Sequence, residues 1–265
     1  VEYTKLAERS NEKRHRGMIY ILPNLFTTAA LFAGFYAIVQ AINGRFEHAA
    51  VAIFVAMVLD GLDGRVARLT NTQSDFGAEY DSLSDMVSFG VAPSLVIYEW
   101  AMRDLGKLGW IAAFIYCVGA ALRLARFNTN IDVVDKRYFQ GVPSPAAAAL
   151  VAGFVWVMID NKITDADYFL GISVRYIACV VTIFAGVSMV SNVLFYSGKH
   201  INLRRAVPFA VALVFVVALL MVVSYPPGVL FGLFVCYSLS GYVMWVVRRF
   251  SRRNKPAESS STPSQ

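Results

Sequence analysis

Residues 48–69 read HAAVAIFVAMVLDGLDGRVARL and residues 76–101 read FGAEYDSLSDMVSFGVAPSLVIYEWA, two apolar runs joined by six residues. Each is long enough to cross a bilayer as a helix, which takes about 20 residues at ~1.5 Å apiece. Yet together they carry Asp60, Asp63, Asp81 and Asp85. One Asp at the middle of a membrane helix costs about 2.5–3.5 kcal/mol on insertion scales, and less near the interface, so four cost up to roughly 10 kcal/mol. Something must offset that cost.

The rest of the chain has the same membrane character. Of its 265 residues 57% are hydrophobic and 16% charged, too apolar for a soluble globule and too aromatic for a disordered chain. Apolar runs recur at 19–42, 48–69, 76–101, 108–127, 144–160, 171–196, 206–224 and 228–249, separated by breakers such as Asn43-Gly44, Gly106 and Pro226-Pro227-Gly228. The expectation is an all-α polytopic bundle of about eight transmembrane helices. The third and sixth runs exceed a bare span and are expected to project into the interface. Cys117, Cys179 and Cys236 each lie inside an apolar run, which fits packing better than a disulfide or a metal site.

Net charge is +6, and its distribution chooses among partners. With the N-terminus placed in the cytoplasm, 19 of the 24 Lys and Arg fall on the cytoplasmic side, leaving Arg45, Arg103, Lys107, Lys162 and Arg175 opposite. That asymmetry predicts both termini inside and an even number of spans; no nucleic-acid partner is expected. Residues 1–18 suit either a short basic helix lying on an anionic leaflet or a solvated basic tail, and no cleaved signal pattern follows them. The Ser- and Pro-rich end, 251–265, reads as a disordered cytoplasmic tail. The far-side stretch 160–167 is acidic, and a solvated loop explains it better than a cation site.

Helical geometry shows how the costly aspartates meet. At about 100° per residue, Asp60, Asp63, Gly64, Ala67 and Arg68 fall within an arc of roughly 140°, while Gly77, Asp81 and Asp85 drift only ~40° per step. Asp63 and Asp81 each lie about 9 Å from the ends of antiparallel neighbours. Four carboxylates converging just below the membrane surface repel one another unless protonated or bridged by cations. Oxygen-only ligands favour Mg²⁺ or Mn²⁺, with Ca²⁺ admissible on size, and four Asp suffice for two such ions clamping a phosphoryl group. Gly64, Ala67 and Gly77 leave room beside them, and Arg68 adds a fork for phosphate oxygens. Taken alone, the small residues would signify helix packing.

Asp60-Gly-Leu-Asp63-Gly64-Arg-Val-Ala67-Arg68, eight residues, Gly77, three residues, Asp81, three residues, Asp85 resembles the CDP-alcohol phosphotransferase family at all eight motif positions. The resemblance implies an integral membrane enzyme that displaces CMP from a CDP-linked lipid with an alcohol, using two divalent cations. It further implies that Asp60, Asp63, Asp81 and Asp85 are metal ligands, that Asp85 is also the base, and that Gly64, Ala67, Arg68 and Gly77 bind CDP. A six-helix core over 19–200, a frequent homodimer and a bacterial inner membrane are implied as well. The two C-terminal spans, over 201–250, carry no polar residues that suggest chemistry and are expected to be peripheral packing or a dimer-stabilising addition.

Three further stretches, Leu22 to Thr27, Leu122 to Asn128 and Gly141 to Ala147, are most similar to family members that join CDP-diacylglycerol to L-serine. A serine carboxylate needs a cation, and Arg126 with Asn128 is the preferred clamp, the alternative being that Arg123 and Arg126 are interfacial anchors. Arg123 binds either the acceptor or the donor's phosphates. Asn24 is expected to turn inward as a nucleotide contact, and Pro23 to start the helix. Ser144 is either a serine contact or, with Pro145, the N-cap and first residue of a helix. The rivals are a sibling enzyme acting on glycerol 3-phosphate, inositol phosphate or choline, a divalent-cation transporter, and a structural scaffold.

Overall fold

Away from water, helices satisfy every backbone N–H and C=O within one segment, and that is what the apolar runs form. The computed structural model describes residues 2–129, 138–169, 171–196 and 209–253, which fold into nine α-helices and two short β-ribbons. Among the described residues, three helical stretches are long and apolar enough to cross a membrane by length and composition: Leu22–Ile42, Lys107–Thr129 and Pro226–Val247.

Helix α1 (Glu2–Ile42) and α2 (Phe46–Thr70) form an antiparallel hairpin turned at Gly44, whose φ is 72°. Its seam is alanine: Ala33, Ala37, Ala49, Ala52 and Ala56 are buried, so the backbones approach closely. The helix that contains the first span begins at Glu2, and Pro23 lies inside it, not at its start as expected. Proline removes one helical hydrogen bond; just beyond it, the Thr28 hydroxyl donates to the Asn24 carbonyl at 2.7 Å, and Thr27 Oγ1 lies 3.2 Å from the Pro23 carbonyl.

The third span is α3 (Asp75–Asp85), a π-helical turn over Met86–Val91, α4 (Ala92–Ile97) and a second π turn over Tyr98–Met102, rather than one regular helix. Pro93 explains part of this. It has no N–H to give the Phe89 carbonyl one turn back, and the Tyr116 hydroxyl of α5 (Lys107–Thr129) donates to that carbonyl instead, at 2.9 Å. On the other side Ser84 and Ser88 donate to the Thr27 and Ala30 carbonyls of α1. A methyl on Gly34 would stand 2.5 Å from Ser88 Oγ, so α1 and this rod are nearly in backbone contact.

Helix α6 (Ser144–Asp160) is the central post, buried continuously from Ala146 to Val155. The sixth apolar run, expected over 171–196, is helical only as α7 (Val174–Val190). Its flanks enter ribbons: β1 (Tyr138–Gln140) pairs with β4 (Leu194–Tyr196), and β2 (Tyr168–Phe169) with β3 (Ile172–Ser173), both antiparallel. Apolar residues at the two ends of α7 therefore serve strands, which hydropathy alone does not distinguish from a longer span. Helices α8 (Phe209–Ser224) and α9 (Pro226–Arg253) follow. Large apolar side chains such as Phe32, Val58, Phe114, Val180 and Leu220 face outward, the surface a lipid environment covers. The expected tail at 251–265 lies largely outside the described residues.

Candidate active site

The α2–α3 turn sets the register of the acidic residues. Asn71 adopts the left-handed conformation (φ 53°) that ends α2, its N–H reaching the Ala67 carbonyl. Ser74 starts α3, its Oγ accepting from the Gly77 N–H at 3.1 Å. With so short a link the two helices run back antiparallel, and Asp63 and Asp60 on one meet Asp81 and Asp85 on the other. Carboxylate oxygens of Asp60, Asp63 and Asp81 all lie within 4.8 Å of one another. Asp85, one turn deeper than Asp81, lies within hydrogen-bonding reach of Asp60. The arrangement is an outer pair, Asp63 and Asp81, above an inner pair, Asp60 and Asp85.

These carboxylates have few partners. No Lys or Arg among the described residues comes within 4.0 Å of them, and the buried Asp81 Oδ1 has no hydrogen-bond partner there. Asp63, only 5% exposed, accepts one hydrogen bond from Thr27 Oγ1 at 2.7 Å. Buried oxygens left unpaired beside like charges are expensive, and a hard cation is the partner that an all-oxygen donor set suits. The residues present therefore fit a divalent metal.

Thr27 received no role from the sequence, although it stands in the Leu22 to Thr27 stretch. The available signal was its spacing: three residues after Asn24, it shares a helix face with it. Asn24 itself turns toward the site, since a methyl on Gly77 would lie 3.5 Å from Asn24 Oδ1. Across the cleft the Arg68 guanidinium lies over Gly64, 3.5 Å from where a Cβ would be. Ala67 is half-buried between them and exposed Arg68. Gly64 and Gly77 are not consumed by tight helix packing, since a methyl on either would meet only side-chain atoms within 4 Å.

The basic residues of α5 divide. Arg123 faces the inner pair, within electrostatic range of Asp85 and Asp60, and its Nη1 donates to Ser144 Oγ at 2.6 Å. Ser144 is thus not the N-cap of α6. Pro143, with ψ 139°, takes that position, and the serine hydroxyl is turned to the arginine. Arg126 points elsewhere, donating to the Val190 carbonyl at 3.0 Å at the end of α7. Asn128 points elsewhere again, exchanging hydrogen bonds with Ser82 at 3.0 and 3.3 Å. Two residues apart on a helix, Arg126 and Asn128 sit about 200° from each other, so they do not form the joint clamp expected of them.

At the opposite end of the bundle the acidic stretch before α7 is ion-paired. Arg175 Nη2 reaches Asp165 at 2.7 Å and Asp104 at 2.9 Å, and Asp167 accepts from the Thr164 N–H and Oγ1 at 2.7 and 2.9 Å.

Residues 20–184 match the CDP-alcohol phosphatidyltransferase family. The chain is 36% identical over 239 residues to a Helicobacter pylori (strain J99) protein named CDP-diacylglycerol--serine O-phosphatidyltransferase, covering 90% of this chain and 98% of that one. A Saccharomyces cerevisiae protein of the same name is 34% identical over 178 residues, 61% of this chain and 64% of the yeast one. One from Methanocaldococcus jannaschii is 48% identical over 102 residues, 38% and 47% respectively.

Proposed function

The chain belongs to the CDP-alcohol phosphatidyltransferase family, and from that premise we propose that it transfers the phosphatidyl group of CDP-diacylglycerol to the hydroxyl of L-serine, releasing CMP. The observation that carries this reading is the meeting of Asp60, Asp63 and Asp81 from two antiparallel helices, with one buried oxygen of Asp81 unpaired. The shared name of the relatives supports serine as acceptor.

In this reading Asp60, Asp63, Asp81 and Asp85 hold two divalent cations, Mg²⁺ or Mn²⁺, which when bound supply the positive charge that a diphosphate requires. The protein's own work is positioning and proton transfer. Gly64, Ala67 and Gly77 let the nucleotide approach the backbone, while Arg68 and Asn24 offer hydrogen bonds at the mouth. The serine oxygen bonds to the phosphorus that carries the diacylglycerol, its proton passes to Asp85, and the bond from that phosphorus to the CMP oxygen breaks. Arg123, fixed by Ser144 beside the inner pair, offers its fork to the serine carboxylate. An apolar groove of about 460 Å³ between α1 and α2 reaches Leu59, next to Asp60, which supports a donor with acyl chains. Arg65, Arg68, Arg123 and Arg126 stand on the helices that end at this site, and the Lys and Arg asymmetry of the sequence supports a cytoplasmic mouth; the family reading supports a bacterial inner membrane.

The test is an acceptor screen. Purified protein, CDP-diacylglycerol and Mn²⁺ or Mg²⁺ are incubated with labelled L-serine, glycerol 3-phosphate, inositol phosphate or choline. Serine label in lipid with matching CMP release is expected; label from another alcohol and none from serine overturns the acceptor.

A further inference from the structure

Helix α9 is expected to be peripheral and lies beyond the residues that match the family, yet it carries tyrosines packed against the β1–β4 ribbon and α7. Phe195 of β4 is fully buried, its ring packed on Tyr237 at 5.9 Å and edge-on against Tyr242 at 6.0 Å. Gly241 fits between these tyrosines because any Cβ there would strike the Phe195 ring. Tyr242 also shares a 2.6 Å hydrogen bond with Ser188 Oγ.

What these contacts grip is the segment leading into Ser144. Strand β4 pairs with β1 (Gln140 opposite Leu194), the Gly141 N–H donates to the Val193 carbonyl at 2.9 Å, and the Val142 N–H donates to the Ser188 carbonyl at 3.0 Å. Two residues later Ser144 Oγ holds Arg123. Hydrogen bonds and ring contacts thus run without a gap from α9 through Phe195 and Ser188 to Ser144 and Arg123, beside Asp85.

We propose that Tyr237 and Tyr242 of α9 are positioning residues for the acceptor: they fix the β1–β4 ribbon and Ser144, and so set where Arg123 presents its guanidinium. The proposal rests on the reading that Arg123 binds the acceptor. It separates α9 from α8, which packs on α9 and turns Leu213, Leu219, Leu220 and Val223 outward.

The test uses the full chain carrying Tyr242→Phe, which keeps its ring and loses the hydroxyl bonded to Ser188, or Tyr237→Leu, which loses the ring packed on Phe195. KM for serine, KM for CDP-diacylglycerol, kcat and melting temperature are measured together. Each variant should raise the serine KM about three- to tenfold, with donor KM unchanged and the melting temperature lowered by no more than a few degrees, since one local contact is lost and acceptor binding is loosened. An unchanged serine KM in both variants overturns the proposal, as does a parallel loss of donor affinity, kcat and melting temperature. If the wild-type protein itself uses another alcohol, the acceptor assignment fails instead, and the same KM split is then required for that alcohol.

Discussion

Two acidic clusters stand at opposite ends of this bundle, and their aspartates are treated in opposite ways. At the far end Asp104 and Asp165 share Arg175, and Asp167 takes both hydrogen bonds that Thr164 can give. At the α2–α3 end three carboxylates crowd within 4.8 Å, and Asp81 keeps a buried oxygen with no partner among the described residues. Composition hardly separates them, since both are short stretches dense in Asp. The difference lies in satisfaction: a cluster that has found its counterions has little left to offer a ligand, and one that has not is held together at a cost that a bound cation or protonation offsets.

The sharpest way to break that contrast is to neutralise one carboxylate in each cluster. Asp85→Asn should lower kcat about 10²–10⁴-fold, the usual worth of a general base, while cation binding is only weakened. Asp60→Ala should instead abolish the rise in melting temperature that Mn²⁺ gives the wild-type protein, because a ligand bound only to the folded state stabilises it by mass action. Without metal, Asp60→Ala should melt no lower than wild type, since it removes a repelling charge. Asp165→Asn should leave turnover unchanged. Equal losses of activity from the two clusters, or a cation-induced shift that persists without Asp60, would remove the distinction.

A smaller effect is expected one layer out. Thr27→Val keeps the shape of the side chain and removes the only hydroxyl that donates to Asp63 among the described residues. Losses of this kind, behind a metal ligand, cost about 10–100-fold in metal affinity or activity. Activity titrated against Mn²⁺ should therefore shift to higher concentration, with the maximal rate partly recovered. An unshifted titration would mean that Asp63 needs no fixing and that the acidic end tolerates looseness as the far end does.

Thr27 also shows where the sequence ceased to be readable. The α2–α3 hairpin was legible because helical periodicity and the expense of charge in lipid both act over a few turns, and they leave Asp60, Asp63, Asp81 and Asp85 one way to meet. A threonine in an apolar helix is unremarked on either count, for its hydroxyl is ordinarily spent on its own backbone; only the packing of α1 against α2 brings it to Asp63. The same holds for Tyr116, whose bond to the Phe89 carbonyl depends on Pro93 in a neighbouring rod. Arg126 illustrates the same limit, since periodicity places it on α5 but does not show that its guanidinium meets the Val190 carbonyl at the end of α7. The sequence reads α8 and α9 both as apolar spans, although α8 turns many large side chains outward and α9 packs half-buried tyrosines against a ribbon.

The smallest expected effect belongs to the satisfied cluster and concerns acid. The Thr164 N–H and then its hydroxyl hold the Asp167 carboxyl below its ordinary value of 3.8. A carboxyl whose folded value is depressed adds stability above the unfolded value and loses it as the pH falls through the folded one. Wild type should therefore melt slightly above Asp167→Asn near about pH 6, and the gap should shrink as the pH falls below 3.8. Because the side chain is open to solvent, water screens most of the benefit and the gap is small. A large gap, or one that widens in acid, would mean that this end also stores unpaired charge, and the contrast between the two ends would then rest on geometry alone.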